Sequence, residues 1–135
     1  MERQYKHGIR RVSLVFPSGY LNPGEEPLCA AQRELLEETG YTADGWHFLG
    51  SFAVDGNHGC GRAHLFVAYD AHQVTAPKPD EIEELEVYLM KPEDVRKAIL
   101  QGDLVLLGSV AAFALATHPW FASNCGSIEP EEGSQ

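Results

Sequence analysis

Apolar and β-branched residues gather in four runs along the chain, and these runs predict its strands. The runs cover residues 12–16, 46–54, 63–69 and 86–90. The first leads straight into the turn-forming triplet Pro17-Ser18-Gly19, and a glycine-rich stretch separates the second from the third. Helical spacing of apolar residues takes over in three further segments, 27–38, 92–101 and 110–117. Strands and helices in this order predict the α/β class.

The helix predicted over residues 27–38 has clear start and stop signals. Pro27 suits a first helical turn, and Gly40 is placed to end the helix in a left-handed conformation. At about 100° per residue, the apolar side chains share one arc that would pack against a sheet, while three carboxylates occupy the opposite side. The apolar residues are Leu28, Cys29, Leu35 and Leu36, and the carboxylates are Glu34, Glu37 and Glu38.

The residues alone leave two interpretations of this acidic sector open. A run of carboxylates is usually a solvated helix face. Glu37 and Glu38, however, lie near the helix C-terminus, where a negative charge opposes the helix dipole by about 0.3–1 kcal/mol. Arg33, four residues before Glu37, relieves only part of the repulsion. A hard dication held by carboxylate oxygens would relieve it directly, so the pattern favours a site for Mg²⁺ or Mn²⁺.

Residues 19–41 fit the pattern G-x5-E-x7-R-E-U-x-E-E-x-G-U, with U a bulky apolar residue, at every fixed position. The segment resembles the Nudix box. This resemblance implies an α/β/α sandwich with a mixed central sheet, and a hydrolase that uses Mg²⁺ or Mn²⁺. It also implies roles for single residues. By this resemblance, Glu34, Glu37 and Glu38 are metal ligands, and the Ser18 backbone carbonyl is a further ligand. Arg33 and Glu37 are catalytic residues, and Arg33 orients a glutamate of its own helix by ion pairing.

The resemblance is nearest to a subgroup that acts on ADP-ribose and other nucleoside diphosphate sugars. It implies a pyrophosphohydrolase that releases a nucleoside monophosphate and a sugar phosphate. In that subgroup an acidic loop supplies the general base, which corresponds here to Glu81 or Glu83. Asn57 stands where ADP-ribose-specific members usually have a proline, which puts ADP-ribose itself in question. Two other functions remain open: hydrolysis of a nucleoside triphosphate or another diphosphate derivative, and ligand sensing without turnover.

Composition narrows the functional classes further. The 135 residues predict a single domain over 1–122 and an acidic tail over 123–135. A net charge of −10 argues against nucleic-acid binding through a basic surface. The small-molecule nucleotide expected as the partner is what the Nudix resemblance implies. No stretch approaches the length of a membrane span. Three cysteines without C-x-x-C spacing indicate a reducing cytoplasm.

The segment before the box is short for the family that it resembles. Nudix proteins normally place two or more strands of the central sheet before the box, so we expect this chain to lack some N-terminal strands. The nucleotide-sugar subgroup commonly builds a dimer through an additional N-terminal sheet, and the resemblance therefore implies a homodimer. Four basic residues near the start fit either an ordinary polar strand edge or phosphate contacts: Arg3, Lys6, Arg10 and Arg11.

Overall fold

The computed structural model describes residues 1–6, 8–78 and 86–124, which form seven strands and four helices. The elements are β1 (Glu2–Lys6), β2 (Arg11–Val15), α1 (Pro27–Thr39), β3 (Tyr41–Thr42), β4 (Gly45–Asp55), β5 (Cys60–Tyr69), β6 (His72–Gln73), β7 (Glu86–Val87), α2 (Pro92–Gln101), α3 (Leu107–Thr117) and α4 (Pro119–Asn124). None of these helices combines the length and the apolar character that crossing a bilayer requires.

Every strand pairing among the described residues is antiparallel. β1 lies between β2 and β7, β3 pairs with β6, and β4 and β5 form a long hairpin. The hairpin register shifts between Phe48 and Gly50, as at a β-bulge, which bends a strand and increases its twist. The strands therefore form three small sheets, and helices α1 and α3 both contact β5.

Most of the predicted elements are confirmed, and the differences lie at their ends. The predicted helix over 27–38 runs one residue further, and α2 ends at Gln101 as expected. The strand predicted over 86–90 was too long, because only Glu86 and Val87 pair with β1. The predicted last helix begins earlier, at Leu107, and α4 follows it through Asn124. Residues 125–135 of the predicted tail lie outside the described residues.

Strand β1 was not predicted, because its buried side is polar. Glu2 and Gln4 are buried, whereas Arg3 and Tyr5 on the alternate side are exposed. An alternation with polar residues on the inner face gives no hydrophobic strand signal. The segment that looked like a polar edge is thus a central strand, with β2 on one side and β7 on the other.

The main core lies between β2 and the C-terminal helices. Val95, Ala98 and Leu104 form its buried centre. Phe16, which directly follows β2, stacks its ring on Phe113 at a centroid distance of 6.4 Å. Leu14 donates its backbone N–H to the Asp103 carbonyl oxygen at 2.8 Å. These contacts fix the end of β2, and therefore the point from which the Pro17-Ser18-Gly19 loop departs.

The C-terminal end of α1 is anchored to the segment after β6. Gly40 adopts φ 75°, and a Cβ there would lie 2.1 Å from the Thr75 carbonyl oxygen. The Gly40 carbonyl accepts the N–H groups of Val74 and Thr75, and Lys78 donates its N–H to the Glu37 carbonyl at 2.9 Å. The predicted glycine cap is confirmed, and it also permits this close approach of two backbones.

The apolar arc predicted for α1 is only partly correct. Leu28 and Leu35 are half-buried as expected, but Cys29 and Leu36 are exposed. Helix α1 contacts β3 and β5, and no single broad sheet covers the whole arc in the described part of the chain. The helix therefore buries a narrower stripe than its sequence suggested.

Candidate metal centre on helix α1

Two carboxylates of α1 meet the loop that follows β2. Glu34 and Glu38 stand one helical turn apart, so their side chains project from the same side of the helix. The Ser18 backbone N–H donates to Glu38 Oε2 at 3.0 Å. A Cβ at Gly19 would lie 2.0 Å from Glu34 Oε1, so the loop backbone lies directly against that carboxylate. Only glycine leaves room for this arrangement.

Arg33 joins this loop to the helix. Its Nε and Nη2 donate to the two oxygens of Glu25 at 2.9 and 3.0 Å, and Nη2 also donates to the Tyr20 carbonyl at 3.1 Å. Its Nη1 donates to Glu34 at 2.8 Å and to Glu37 at 3.2 Å. A planar guanidinium suits such a set of contacts, because its donors point in fixed directions. The expected ion pair with glutamates of the same helix is therefore present.

The pairing with Arg33 also determines the charge of Glu25. Hydrogen bonds from the Arg33 guanidinium, helped by the backbone N–H of Asn22, lower the pKa of Glu25 to about 2. The same contact with Glu25, and a further one with Glu34, raise the pKa of Arg33. Both groups remain charged at neutral pH. The Arg33–Glu25 pair thus acts as a permanent link between loop and helix.

Glu38 is the electrostatically strained member of the site. Its carboxyl is half-buried, and burial raises its pKa to about 9, with further contributions from the negative charges of Glu2 and Glu34. The Ser18 N–H opposes this shift only in part. A carboxylate that is disfavoured in this way needs either a proton or a nearby cation. The cluster of carboxylate oxygens therefore fits a hard divalent ion such as Mg²⁺ or Mn²⁺.

The carboxylates are neighbours rather than a closed ligand shell. In the parts of the chain that the structure covers, no three acidic, histidine or cysteine side chains converge on one point that could hold an ion. Glu37 is 53% exposed and turns toward Arg33. Glu34 faces Arg33 and Gly19, and Glu38 faces Ser18. A metal site built from three of these carboxylates would therefore require side chains to move from the positions seen here.

The predicted site residues differ in how the structure places them. Arg33, Glu34, Glu37 and Glu38 lie on one face of α1, and the Ser18 peptide lies beside Glu38 through its N–H group. Glu81 and Glu83, the predicted general bases, lie outside the described residues. Asn57 lies in the turn between β4 and β5, where its N–H donates to Asp55 Oδ1 at 2.9 Å.

Sequence reasoning missed Glu2, which the fold brings to Glu38. Glu2 is completely buried and contributes to the raised pKa of Glu38. No motif includes this residue. The signal that could have found it is the polar alternation of Glu2, Gln4 and Lys6, which is typical of a strand whose inner face carries a hydrogen-bonded network.

Comparison with known proteins places the chain among characterised relatives. A model of the NUDIX domain matches residues 1–110. ADP-ribose pyrophosphatase from Bacillus subtilis (strain 168) is 33% identical over 100 residues, which cover 73% of this chain and 54% of that protein. ADP compounds hydrolase NudE from Escherichia coli (strain K12) is 33% identical over 70 residues, covering 52% of this chain and 38% of that protein.

A solved structure supports the fold as well. The crystal structure of an ADP compounds hydrolase superposes with a TM-score of 0.70 at 25% identity, covering 90% of this chain and 65% of that one. The predicted α/β fold class is confirmed by this match. The chain spans about half the length, or less, of the curated relatives it matches. Because the domain model extends over most of its residues, the chain belongs to the Nudix family.

Proposed function

We propose that this chain is a divalent-metal-dependent pyrophosphohydrolase that cleaves the diphosphate of a nucleoside diphosphate sugar of the ADP-ribose type. The products are a nucleoside monophosphate and a sugar phosphate. One observation carries the proposal: Glu34 and Glu38 stand one turn apart on α1, and both lie against the Ser18-Gly19 backbone. The relatives named for ADP-ribose and for ADP compounds support this substrate class.

Each residue of the site has a role in this proposal. Glu34 and Glu38 would hold the divalent ion, with Glu37 and the Ser18 carbonyl as further proposed ligands. A bound Mg²⁺ or Mn²⁺ supplies charge neutralisation and Lewis-acid polarisation of the diphosphate. Arg33 keeps Glu34 and Glu37 aligned and holds the loop against the helix. Misplacement of such groups by about 1 Å is enough to lower a rate by about 10²-fold.

The reaction itself needs a water molecule and a base. The water oxygen attacks one phosphorus, the bond from that phosphorus to the bridging oxygen breaks, and the other phosphate leaves with the bridging oxygen. The proton released by the water passes to a carboxylate, for which Glu81 and Glu83 are the proposed candidates. A positioned carboxylate can act in this way when its pKa lies near the working pH.

Which sugar and which base the enzyme prefers is a separate question. Asn57 replaces the proline that is typical of ADP-ribose-specific members, so nucleotide sugars other than ADP-ribose belong among the test substrates. Mg²⁺ or Mn²⁺ as the ion, a homodimeric assembly, a cytoplasmic location and the lack of a nucleic-acid partner are further parts of this proposal.

The test is a substrate panel with a charge-matched pair of variants. ADP-ribose and other nucleotide sugars are incubated with Mg²⁺, Mn²⁺ or EDTA, and a coupled phosphatase releases phosphate from the products; nucleoside triphosphates are followed by released pyrophosphate. We expect metal-dependent hydrolysis that Glu38→Gln nearly abolishes while the fold is retained. Glu93→Gln, which removes an exposed carboxylate of α2, should be fully active.

Two outcomes would contradict the proposal. Wild-type turnover in Glu38→Gln at low metal concentration would show that α1 does not carry the metal. Binding of nucleotide sugars without hydrolysis of any panel member would instead favour the ligand-sensing alternative.

A further inference from the structure

We infer that Lys78, in the segment after β6, is a substrate-binding residue: its ammonium group binds the diphosphate of the nucleotide sugar at the C-terminal end of α1. This inference rests on the proposed function, because it assumes that such a diphosphate is hydrolysed on this helix. Lys78 lies outside the Nudix box, so the resemblance gives it no role.

The segment that carries Lys78 runs along the last turn of α1 toward its carboxylates. The N–H groups of Val74 and Thr75 donate to the Gly40 carbonyl at the helix cap, and the Lys78 N–H donates to the Glu37 carbonyl at 2.9 Å. Bond lengths then place the Lys78 Cα within about 7 Å of the Glu37 Cα. The flexible four-carbon stem of a lysine spans about this distance, so its ammonium reaches a phosphate held on these carboxylates.

The main chain of Lys78 is restrained from both sides. Lys78 stands between Pro77 and Pro79 in the sequence, and its own N–H is bonded to α1. A proline fixes its own φ, and it also holds the residue before it in the extended region. The backbone at Lys78 is thus fixed beside the helix while its side chain is exposed. A group positioned in this way loses less freedom when it binds a ligand.

The arginine of the site is fully engaged within the protein. Nε and Nη2 of Arg33 donate to Glu25, and Nη2 also donates to the Tyr20 carbonyl. Nη1 donates to Glu34 and Glu37. These bonds use every N–H group of the guanidinium. Arg33 therefore has no donor left for a substrate phosphate, and another side chain must supply that contact.

Lys78 has the unpaired charge that Arg33 lacks. Across residues 1–6, 8–78 and 86–124, its ammonium forms no ion pair with a carboxylate. Arg62 and Lys91 are also unpaired in those ranges, but neither hydrogen-bonds to α1 there. Lysine binds phosphate as a compact point charge. Of these three cations, Lys78 is the one that the fold ties to the proposed catalytic helix.

A purely structural role for Lys78 makes different predictions. Helix α1 has no basic residue in its last turn, and a cation near a helix C-terminus stabilises it. If that were the function of Lys78, loss of its charge would lower the melting temperature and leave substrate binding unchanged. A substrate contact predicts the opposite combination.

The experiment compares the wild type with Lys78→Gln, which removes the charge, and Lys78→Arg, which keeps it. Lys91→Gln is the matched control, because it removes the same charge from an exposed lysine just before α2. The kinetic constants kcat and KM are measured on the best nucleotide sugar of the panel with Mn²⁺. Titration calorimetry measures binding of ADP-ribose whose bridging oxygen is replaced by a methylene group, which prevents cleavage. Melting temperature and Mn²⁺ affinity are recorded for each variant.

We expect Lys78→Gln to raise KM, and to weaken binding of the methylene analogue, by about 10–100-fold, the loss that one hydrogen bond between charged groups represents. Its kcat should change little, because a contact made equally in the ground state and the transition state affects KM alone. Melting temperature and Mn²⁺ affinity should stay at wild-type values. Lys78→Arg should recover most of the lost binding, and Lys91→Gln should behave as the wild type.

Unchanged KM in Lys78→Gln, together with lost activity in Glu38→Gln, would overturn this inference and leave the proposed function intact. Misfolding or a marked fall in the melting temperature of Lys78→Gln, with no recovery of KM in Lys78→Arg, would assign the lysine to the stability of α1 and also overturn the inference. A wild-type chain that neither hydrolyses any member of the panel nor binds the analogue would overturn the inference and the proposed function together.

Discussion

Replacement of Gly19 by alanine should damage the metal centre with little effect on the fold. A Cβ at this position would lie 2.0 Å from Glu34 Oε1, whereas ordinary contact begins at 3.4 Å, so the oxygen would have to move by about 1.4 Å. The atom that must move is the end of a flexible side chain, and Gly19 has no left-handed backbone that alanine would strain. The cost to folding should therefore be small.

The cost to function should be large, because the displaced oxygen is the one that pairs with Arg33 at 2.8 Å. A shift of about 1 Å in a catalytic arrangement can lower the rate by about 10²-fold. We therefore expect Gly19→Ala to lose roughly 10²-fold in kcat/KM on the best substrate of the panel, and to bind Mn²⁺ more weakly, while its melting temperature stays close to that of the wild type.

The matched control is Gly108→Ala. A Cβ at Gly108 would meet nothing within 4 Å, and alanine favours the helix α3 in which it lies by about 0.5–1 kcal/mol. That variant should have wild-type kcat/KM and a slightly higher melting temperature. If Gly19→Ala kept both wild-type kcat/KM and wild-type Mn²⁺ affinity, the Gly19 backbone would not lie against the Glu34 carboxylate in the active enzyme. The proposed geometry would then be refuted.

Three further predictions concern Arg33, Glu38 and the acidic loop. Arg33→Lys cannot reproduce the forked contacts with Glu25 and Glu34, so kcat/KM should fall by about 10–100-fold; unchanged kinetics would remove Arg33 from the site. The pKa of Glu38 is raised from 4.5 to about 9 in the folded chain. The folded state thus favours the protonated form of Glu38. In EDTA, the contribution of this carboxyl to the stability of the folded state should be greatest below about pH 4.5 and fall as the pH rises toward 9. Melting curves from pH 5 to 9 should show this decline in the wild type and a flatter profile in Glu38→Gln; equal slopes would contradict the assignment. Glu81→Gln or Glu83→Gln should lower kcat by about 10²–10⁴-fold with unchanged Mn²⁺ affinity if that residue is the base. Loss of Mn²⁺ binding in one of these variants would make that residue a metal ligand. If both variants kept wild-type kcat and wild-type Mn²⁺ affinity, the acidic segment would be an ordinary solvated loop without a role in the reaction.

The local signals in the sequence were sufficient for α1 and its carboxylates. Pro27 and Gly40 bound the helix as expected, because first-turn proline and a left-handed glycine cap depend on backbone geometry alone. The one-turn spacing of Glu34 and Glu38 follows from the helix itself. The Nudix resemblance implied only that the Ser18 carbonyl joins the metal ligands. The contacts of the Ser18 N–H with Glu38 and of Gly19 with Glu34 are known from the structure, which supplies the geometric reason for the glycine.

Features that depend on distant contacts were not predictable in the same way. The role of β1 as a central strand and the burial of Glu2 arise from pairing with β2 and β7, which no short-range pattern encodes. Cys29 and Leu36 fall on the apolar arc of α1 but remain exposed, because burial depends on which sheet covers the helix. Helix α4 was also not predicted, but for another reason: Pro119 at its start was a local signal that could have been used.

The anchoring of α1 at its C-terminal end has a consequence for how such a chain can diversify. Lys78 is tied to the Glu37 carbonyl, and Glu86 and Val87 are tied to β1, so the two flanks of the intervening segment are secured independently of each other. The entropic cost of closing a loop rises by only about 0.6 kcal/mol for each doubling of its length. Changes in the length of chain between residues 78 and 86 thus leave the anchor of α1, and with it Glu34 and Glu38, in place. Because Glu81 and Glu83 lie in this stretch, such changes would move the proposed base while the carboxylates of α1 stay where they are.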